Sequence, residues 1–328
     1  MILCQGNKQQ DNNLIAQKQS FILKNTIMET ANNKTLAHKI VPFLWYENNA
    51  EDAMNFYTSC FKNSKITSRS YYNEESAKAS GQAKDSLMTG SFMLNNQEFI
   101  VINGGSVFHF NPSISLFVNC ETEQETDELW NKLSGAGKVL MEFKPYPFSK
   151  KYGWLQDKFG LSWQLNFTEI PQKIAPCLMF SGKREGKAEE AINYYMSLFK
   201  NSEVKILARY EAGEQGVEGN IKHSRFTLSG EDFVAMDAHI ENNFSFTPAV
   251  SFMVFCKTQD EIDYFWNNLT SGGKEIECGW LEDKFGISWQ IVPENLNKLL
   301  SNPDPAKAKR AMHAMLQMKK LVIADLEA

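Results

Sequence analysis

Five histidines in 328 residues leave few places for proton chemistry near neutral pH. His223, Asp237 and His239 fall on the two strands of one expected hairpin, where they could converge. An imidazole beside a carboxylate can act as a general base, so this trio is the catalytic candidate. Surface or satisfied core histidines are the bland alternative. Gln164 and Gln290 close two matching strands and share a face with Ser162 and Ser288. That face offers an amide and a hydroxyl, either to a ligand or to neighbouring backbone. Trp154 and Trp280 are candidate stacking platforms, whereas Trp163 and Trp289 have the parity of core residues. Tyr146, Phe148 and Tyr152 stand among Lys144, Lys150 and Lys151, an aromatic and basic flap suited to an aromatic or anionic ligand. Cys278 beside Trp280 would be a nucleophile only with an adjacent base, and none is near in sequence. Asp157-Lys158 and Asp283-Lys284 read as turn capping and a solvated pair.

The elements that must position these groups occur twice. Gly153 to Gln164 and Gly279 to Gln290 agree at ten of twelve positions. In each, Asp-x-x-Gly between apolar runs predicts a hairpin, with glycine supplying a positive φ. Upstream, Lys39-Ile40-Val41-Pro42 answers Lys173-Ile174-Ala175-Pro176. Ala53, Phe56, Tyr57, Cys60 and Phe61 recur at helical steps and have counterparts from Ala191 to Phe199. Thr122-x-x-Glu125 and Thr258-x-x-Glu261 are capping boxes that open two further helices. Each repeat states strand, helix and two or three strands twice over. The expected fold is α+β: two tandem domains, each of two βαβββ modules with curved sheets around a cleft and helices outside. The first repeat is longer by about ten residues around Lys144 to Lys151.

The expected boundaries are an N-terminal arm over 1–37, disordered or loosely ordered, domains over 38–169 and 170–300, and a helical tail over 301–328. Translation could also begin at Met28. In the tail, Asp304-Pro305 can cap a helix whose Met312, Met315 and Leu316 make a methionine-rich stripe.

A hydrophobic content of 43% with a net charge of −5 fits a globular chain and disfavours a nucleic-acid partner. No apolar run is long enough for a membrane helix, and the N-terminus is a poor signal peptide. Six cysteines without CxxC spacing read as reduced thiols of a cytoplasmic protein. A small-molecule ligand is expected, and a second copy of the chain is the macromolecular partner left open.

The helix Ala53-Met54-Asn55-Phe56-Tyr57 and the hairpin Asp157-x-x-Gly160-x-x-x-Gln164 resemble the vicinal oxygen chelate superfamily of glyoxalase I, extradiol dioxygenases and bleomycin-resistance proteins. Tyr146-Pro147-Phe148, Tyr152-Gly153-Trp154 and Cys278-Gly279-Trp280 are similar to its PhnB-like group, labelled demethylubiquinone methyltransferase-like. The resemblance implies a divalent metal on strands of the cleft. Its ligand positions fall on Pro42 or Pro176, near Ser113 or Ser115 and Ala249 or Ser251, and on Gln164 or Gln290. None is a His or carboxylate, so no metal and no cofactor is expected. A glycine-rich strand–helix turn for SAM is also missing. Three functions follow: a metal-independent small-molecule protein, a sequestering module, or a metal lyase or dioxygenase using His223, His239 and Asp237.

Overall fold

A computed structural model describes residues 38–72, 74, 77–78, 81–239 and 244–328; the expected arm over 1–37 lies outside them. The first module is β1 (Ile40–Tyr46), α1 (Ala50–Cys60), β2 (Lys65–Tyr71), β3 (Leu87–Leu94) and β4 (Gln97–Asn103). The second is β5 (Ile114–Cys120), α2 (Glu123–Ser134), β6 (Lys138–Tyr146), β7 (Ser149–Gln156) and β8 (Ser162–Phe167). The third is β9 (Lys173–Ser181), α3 (Ala188–Leu198), β10 (Glu203–Arg209), β11 (Ile221–Leu228) and β12 (Glu231–Ala238). The fourth is β13 (Val250–Cys256), α4 (Gln259–Leu269), β14 (Lys274–Glu275), β15 (Trp280–Glu282) and β16 (Ser288–Pro293). The tail adds α5 (Leu296–Leu300), α6 (Pro305–Leu316) and α7 (Ile323–Glu327).

Local chemistry sets these limits. Thr122 and Thr258 accept from the amides of Glu125 and Glu261, and both glutamates reach back to the chain just before the helix. Asn95-Asn96 and Ser229-Gly230 turn β3 into β4 and β11 into β12 with positive φ at both positions. Gly160 and Gly286 have φ of 85° and 87° in the repeated Asp-x-x-Gly turns.

The α+β, twice-stated plan stands, and the topology adds how its modules combine. One eight-stranded sheet runs β14-β15-β16-β13-β1-β4-β3-β2, and the other β10-β11-β12-β9-β5-β8-β7-β6. Each sheet therefore takes one module from each repeat. The seams are antiparallel, with Phe43 opposite Ser251 in one and Cys177 opposite Ser115 in the other. Strand parity then sorts side chains to two faces. Ile40, Leu44 and Tyr46 join Trp163, Trp289 and the helices in one continuous core shared by both sheets. Val41, Phe43 and Trp45 face the other way, into a separate cluster.

Inside the shared core each repeated Asp is a hub. Asp157 Oδ2 accepts from Tyr57 Oη at 2.7 Å and Trp163 Nε1 at 2.8 Å, while its Oδ1 accepts the amides of Phe159 and Leu161. Asp283 repeats this with Tyr195, Trp289, Phe285 and Ile287. Burial pushes both carboxyls above their usual range, against the pull of four donors. Neither Asp is part of a solvated pair: Lys158 lies 4.4 Å from the Phe56 ring centroid, and Lys284 pairs with Glu190. Tyr57→Phe removes one donor from such a hub. The expected loss is about 1 kcal/mol in a denaturant titration.

Candidate functional site

The faces that the two sheets turn away from the shared core are equivalent candidate clefts with different contents. In the first, Phe117, Tyr152, Trp154, Cys177, Met179 and Val234 gather between β5, β7, β9 and β12. Its floor is a chain of uncharged hydrogen bonds. Tyr152 Oη donates to Gln164 Oε1 at 2.7 Å, and Gln164 Nε2 donates to Ser115 Oγ at 2.7 Å, with the Cys177 sulfur at 3.5 Å. Trp154 Nε1 donates to Ser162 Oγ at 2.8 Å. The amide of Gln164 is thus saturated by protein groups, and Tyr152 keeps an oxygen lone pair for an outside donor.

His223 comes into this cleft from β11, its ring centroid 5.5 Å from that of Phe117. Phe117 in turn lies 6.4 Å from Tyr152. Burial, and then Arg225, lowers the imidazole to a pKa of about 4, so it is neutral at physiological pH. Tyr146 and Phe148 pack on Tyr152 at 5.8 and 5.2 Å and form the rim, where Phe148 is 60% exposed. The lysines of this flap are engaged: Lys144 with Glu142, Lys150 with Glu169, and Lys151 with Glu123 and Asp127.

The catalytic trio does not gather. Asp237 points to the helix side, where it accepts the amides of Gly186, Ala188 and Ile221. Asn103 holds the matching place in the first repeat and accepts the amide of Ala50. Fixing a helix start is therefore common to both copies. His239 pairs with Glu185 at 2.9 Å, and its side chain is 68% exposed. Of the three, His223 alone reaches the cleft.

In the second cleft, Gln290 Nε2 donates to Ser251 Oγ at 3.0 Å, as its counterpart does to Ser115. Among the described residues Gln290 Oε1 has no hydrogen-bond partner, Cys278 occupying the place of Tyr152. Trp280 Nε1 also lacks one; Ser288, the equivalent of Ser162, does not reach it. Trp280 and Gln290 are opposed across the β15–β16 pair, and both are 0% exposed. The cover is the tail: Leu300, Met315, Leu321 and Leu326 pack on Phe43, Trp45 and Trp280. The long β6–β7 hairpin walls the first cleft, whereas the short β14–β15 hairpin leaves room for this tail. The amides of Cys278 and Gly279 donate to Met318 and Lys319 carbonyls at 2.7 Å.

Neither donor set fits a divalent ion. The proline positions have the parity of the helix side, so Phe43 and Cys177 face the clefts instead. Burial pushes the Cys177 thiol up to about 12, far from a thiolate ligand. Among the described residues, no three His, Cys, Asp or Glu side chains are placed to hold a metal. Nor do the paired glycines form a cofactor cradle. A Cβ on Gly104 would lie 2.1 Å from the Trp45 ring, and one on Gly273 2.1 Å from the Glu282 carbonyl. These glycines answer packing.

Strand alternation around Gln164 places Ser162 beside it from sequence, and Trp154 stands out only as a candidate stacking platform. Phe117, Cys177 and Met179 were not found, since no local spacing shows that β5 and β9 meet across the repeat boundary. Among the described residues no helix is long and apolar enough to cross a membrane.

Residues 38–166 and 172–292 each match the family described as 3-demethylubiquinone-9 3-methyltransferase. The PhnB protein of Bacillus cereus is 46% identical, over 40% of this chain and 100% of that one, with a TM-score of 0.38. A Staphylococcus aureus protein is 32% identical, over 40% of this chain and 96% of that one, with a TM-score of 0.17. A glyoxalase I mutant from Zea mays covers 80% of this chain and 96% of its own, with a TM-score of 0.51. At 12% identity it shares the fold alone. No curated protein matches the chain. With both repeats matched, the chain belongs to the 3-demethylubiquinone-9 3-methyltransferase family and carries that family's domain twice.

Proposed function

We propose that the chain binds an uncharged aromatic molecule bearing a hydroxyl group in the cleft of Phe117, Tyr152 and His223, and that it does so without a metal. The observation that carries this reading is the polarity of the wall. Aromatic rings surround two uncharged hydrogen-bonding groups, the Tyr152 oxygen and the neutral His223 imidazole. Among the described residues no protein group is hydrogen-bonded to either ring nitrogen of His223. A phenolic hydroxyl could donate to one of these groups while its ring packs on Phe117. An anionic ligand is disfavoured, because the flap lysines already have acidic partners.

Binding or sequestration is favoured over acid–base catalysis for a related reason. A general acid or base works best with a pKa near the operating pH. His223 lies near 4, Cys177 near 12 and Tyr152 well above its ordinary value. The family description names methyl transfer to a demethylubiquinone. An aromatic quinol ring suits this cleft, but the residues present give a methyl donor no binding turn, so no transfer step is assigned.

Calorimetric titration with 2-naphthol, naphthalene and 2-naphthoate tests the reading. The expected order of affinity is 2-naphthol first, naphthalene second and the carboxylate last. His223→Leu should weaken 2-naphthol roughly tenfold, as loss of one hydrogen bond at a desolvated site would, and leave naphthalene unchanged. Tightest binding of the carboxylate would defeat the proposal.

A further inference from the structure

We infer that Trp280 Nε1 and Gln290 Oε1 form a second binding site, for the hydroxyl group of a small alcohol or phenol, and that the C-terminal tail is its built-in competitor. The site is independent of the reading of the other cleft. It rests on a donor and an acceptor that are fully buried, cross-strand neighbours and, among the described residues, both unpartnered. Buried polar groups are rarely left so, and each such case asks for an occupant. A hydroxyl suits both at once: its oxygen accepts from the Trp280 N–H and its hydrogen goes to the Gln290 carbonyl.

The sister cleft shows which internal hydrogen bonds the pair lacks. There, Ser162 answers Trp154 and Tyr152 answers Gln164. In the tail-covered cleft, Cys278 replaces the tyrosine. No tyrosine hydroxyl stands there to bond Gln290, while the amide makes the same hydrogen bond to a serine, Ser251, as in the other copy.

The cover is built to move. Its apolar contacts include Met315, with Met312 and Met318 beside it, and methionine repacks with little loss. Two buried backbone hydrogen bonds, from the Cys278 and Gly279 amides to Met318 and Lys319, must open with it; its side-chain tethers lie at the rim. Gln259 Nε2 donates to the Leu321 carbonyl at 3.2 Å, and Gln259 Oε1 accepts the Ile323 amide at 2.8 Å. Lys320 pairs with Asp263 at 2.7 Å, with both side chains a third or more exposed. A ligand that reaches Trp280 must displace Leu321, which lies against Gly279. Binding and tail closure are thus mutually exclusive, and the fraction of open tail scales the apparent affinity.

The test uses the full chain and 4-fluorophenol as probe, read by fluorine NMR. The first cleft should contribute one bound resonance, which His223→Leu weakens. A second resonance should be faint in the natural chain. It should grow by roughly tenfold in Gln259→Ala, because losing two hydrogen bonds raises the open fraction. Gln290→Leu and Trp280→Phe should each abolish the second resonance and spare the first. Lys320→Ala, which changes an exposed pair only, serves as a milder opening variant and should act in the same direction. Hydrogen exchange across 305–326 must quicken in both opening variants. The inference is overturned if no second resonance follows that quickening, or if one survives in Gln290→Leu. In either case the pair holds nothing but water.

Discussion

Asp157→Ala is expected to destabilise the protein by about 4 kcal/mol, the largest effect of any single substitution considered, because several buried donors lose their acceptor together. Tyr57, Trp163 and the amides of Phe159 and Leu161 all donate to this one carboxylate. Trp163 Nε1 cannot turn to water, since its side chain is 0% exposed. Asp283→Ala should cost a similar amount, the four donors there being equivalent. Asp157→Asn separates shape from charge. Its oxygen can keep the two amides, while its NH2 group would face the indole N–H, at a cost of about 2 kcal/mol. Guanidinium midpoints of the three variants check the ranking. A loss below about 1 kcal/mol for Asp157→Ala would mean that water replaces the carboxylate.

The second large effect is a dependence on acid. His223 has a folded pKa of about 4, against 6.5 for an unperturbed imidazole. The sign follows from proton binding: the unfolded chain takes the proton first, so acid favours unfolding. Stability from this group is fully present above about pH 6.5 and is lost as pH falls toward 4, by about 3 kcal/mol in all. His223→Gln keeps a polar, uncharged side chain and removes the titration. Between pH 7 and pH 4 the natural chain should therefore lose about 3 kcal/mol more than the variant. Urea titrations at both pH values measure the difference. Equal losses would place the imidazole in water, and the uncharged character of the first cleft would go with it.

The shared core and the covered cleft also explain what could be read in the sequence. The Asp-x-x-Gly turns were legible because Gly160 and Asp157 act within four residues of each other. The faces of β8 followed from simple alternation, which put Trp163 in the core and Gln164 in the cleft. Asp157 was readable as a turn residue but not as a hub, since Tyr57 lies a hundred positions away. The same limit hid the pairing of β1 with β13, where Phe43 meets Ser251. Periodicity reports which face a residue shares; it does not report whose module completes the sheet.

The catalytic trio illustrates a further limit. His223, Asp237 and His239 are close in sequence, but alternation turns Asp237 away from the Met236 face of β12, and His239 lies beyond the end of that strand at Ala238. Asp237 serves the start of α3, as Asn103 serves α1. A comparison of the two copies could have given that role, since the amide in the first repeat cannot act as a base. The difference between the clefts was visible as the longer loop around Lys144 to Lys151. Its meaning depended on the tail, whose resting place is a packing outcome.

A crystal of the full chain soaked in 4-bromophenol puts the claim of two unequal clefts to its most direct test, through the anomalous signal of bromine. The strongest peak should lie beside Phe117, with the phenol oxygen within hydrogen-bonding distance of His223 or Tyr152, and any peak beneath Leu321 should be much weaker. A dominant peak under the tail, or none near Phe117, would contradict the assignment of the first cleft as the ligand site.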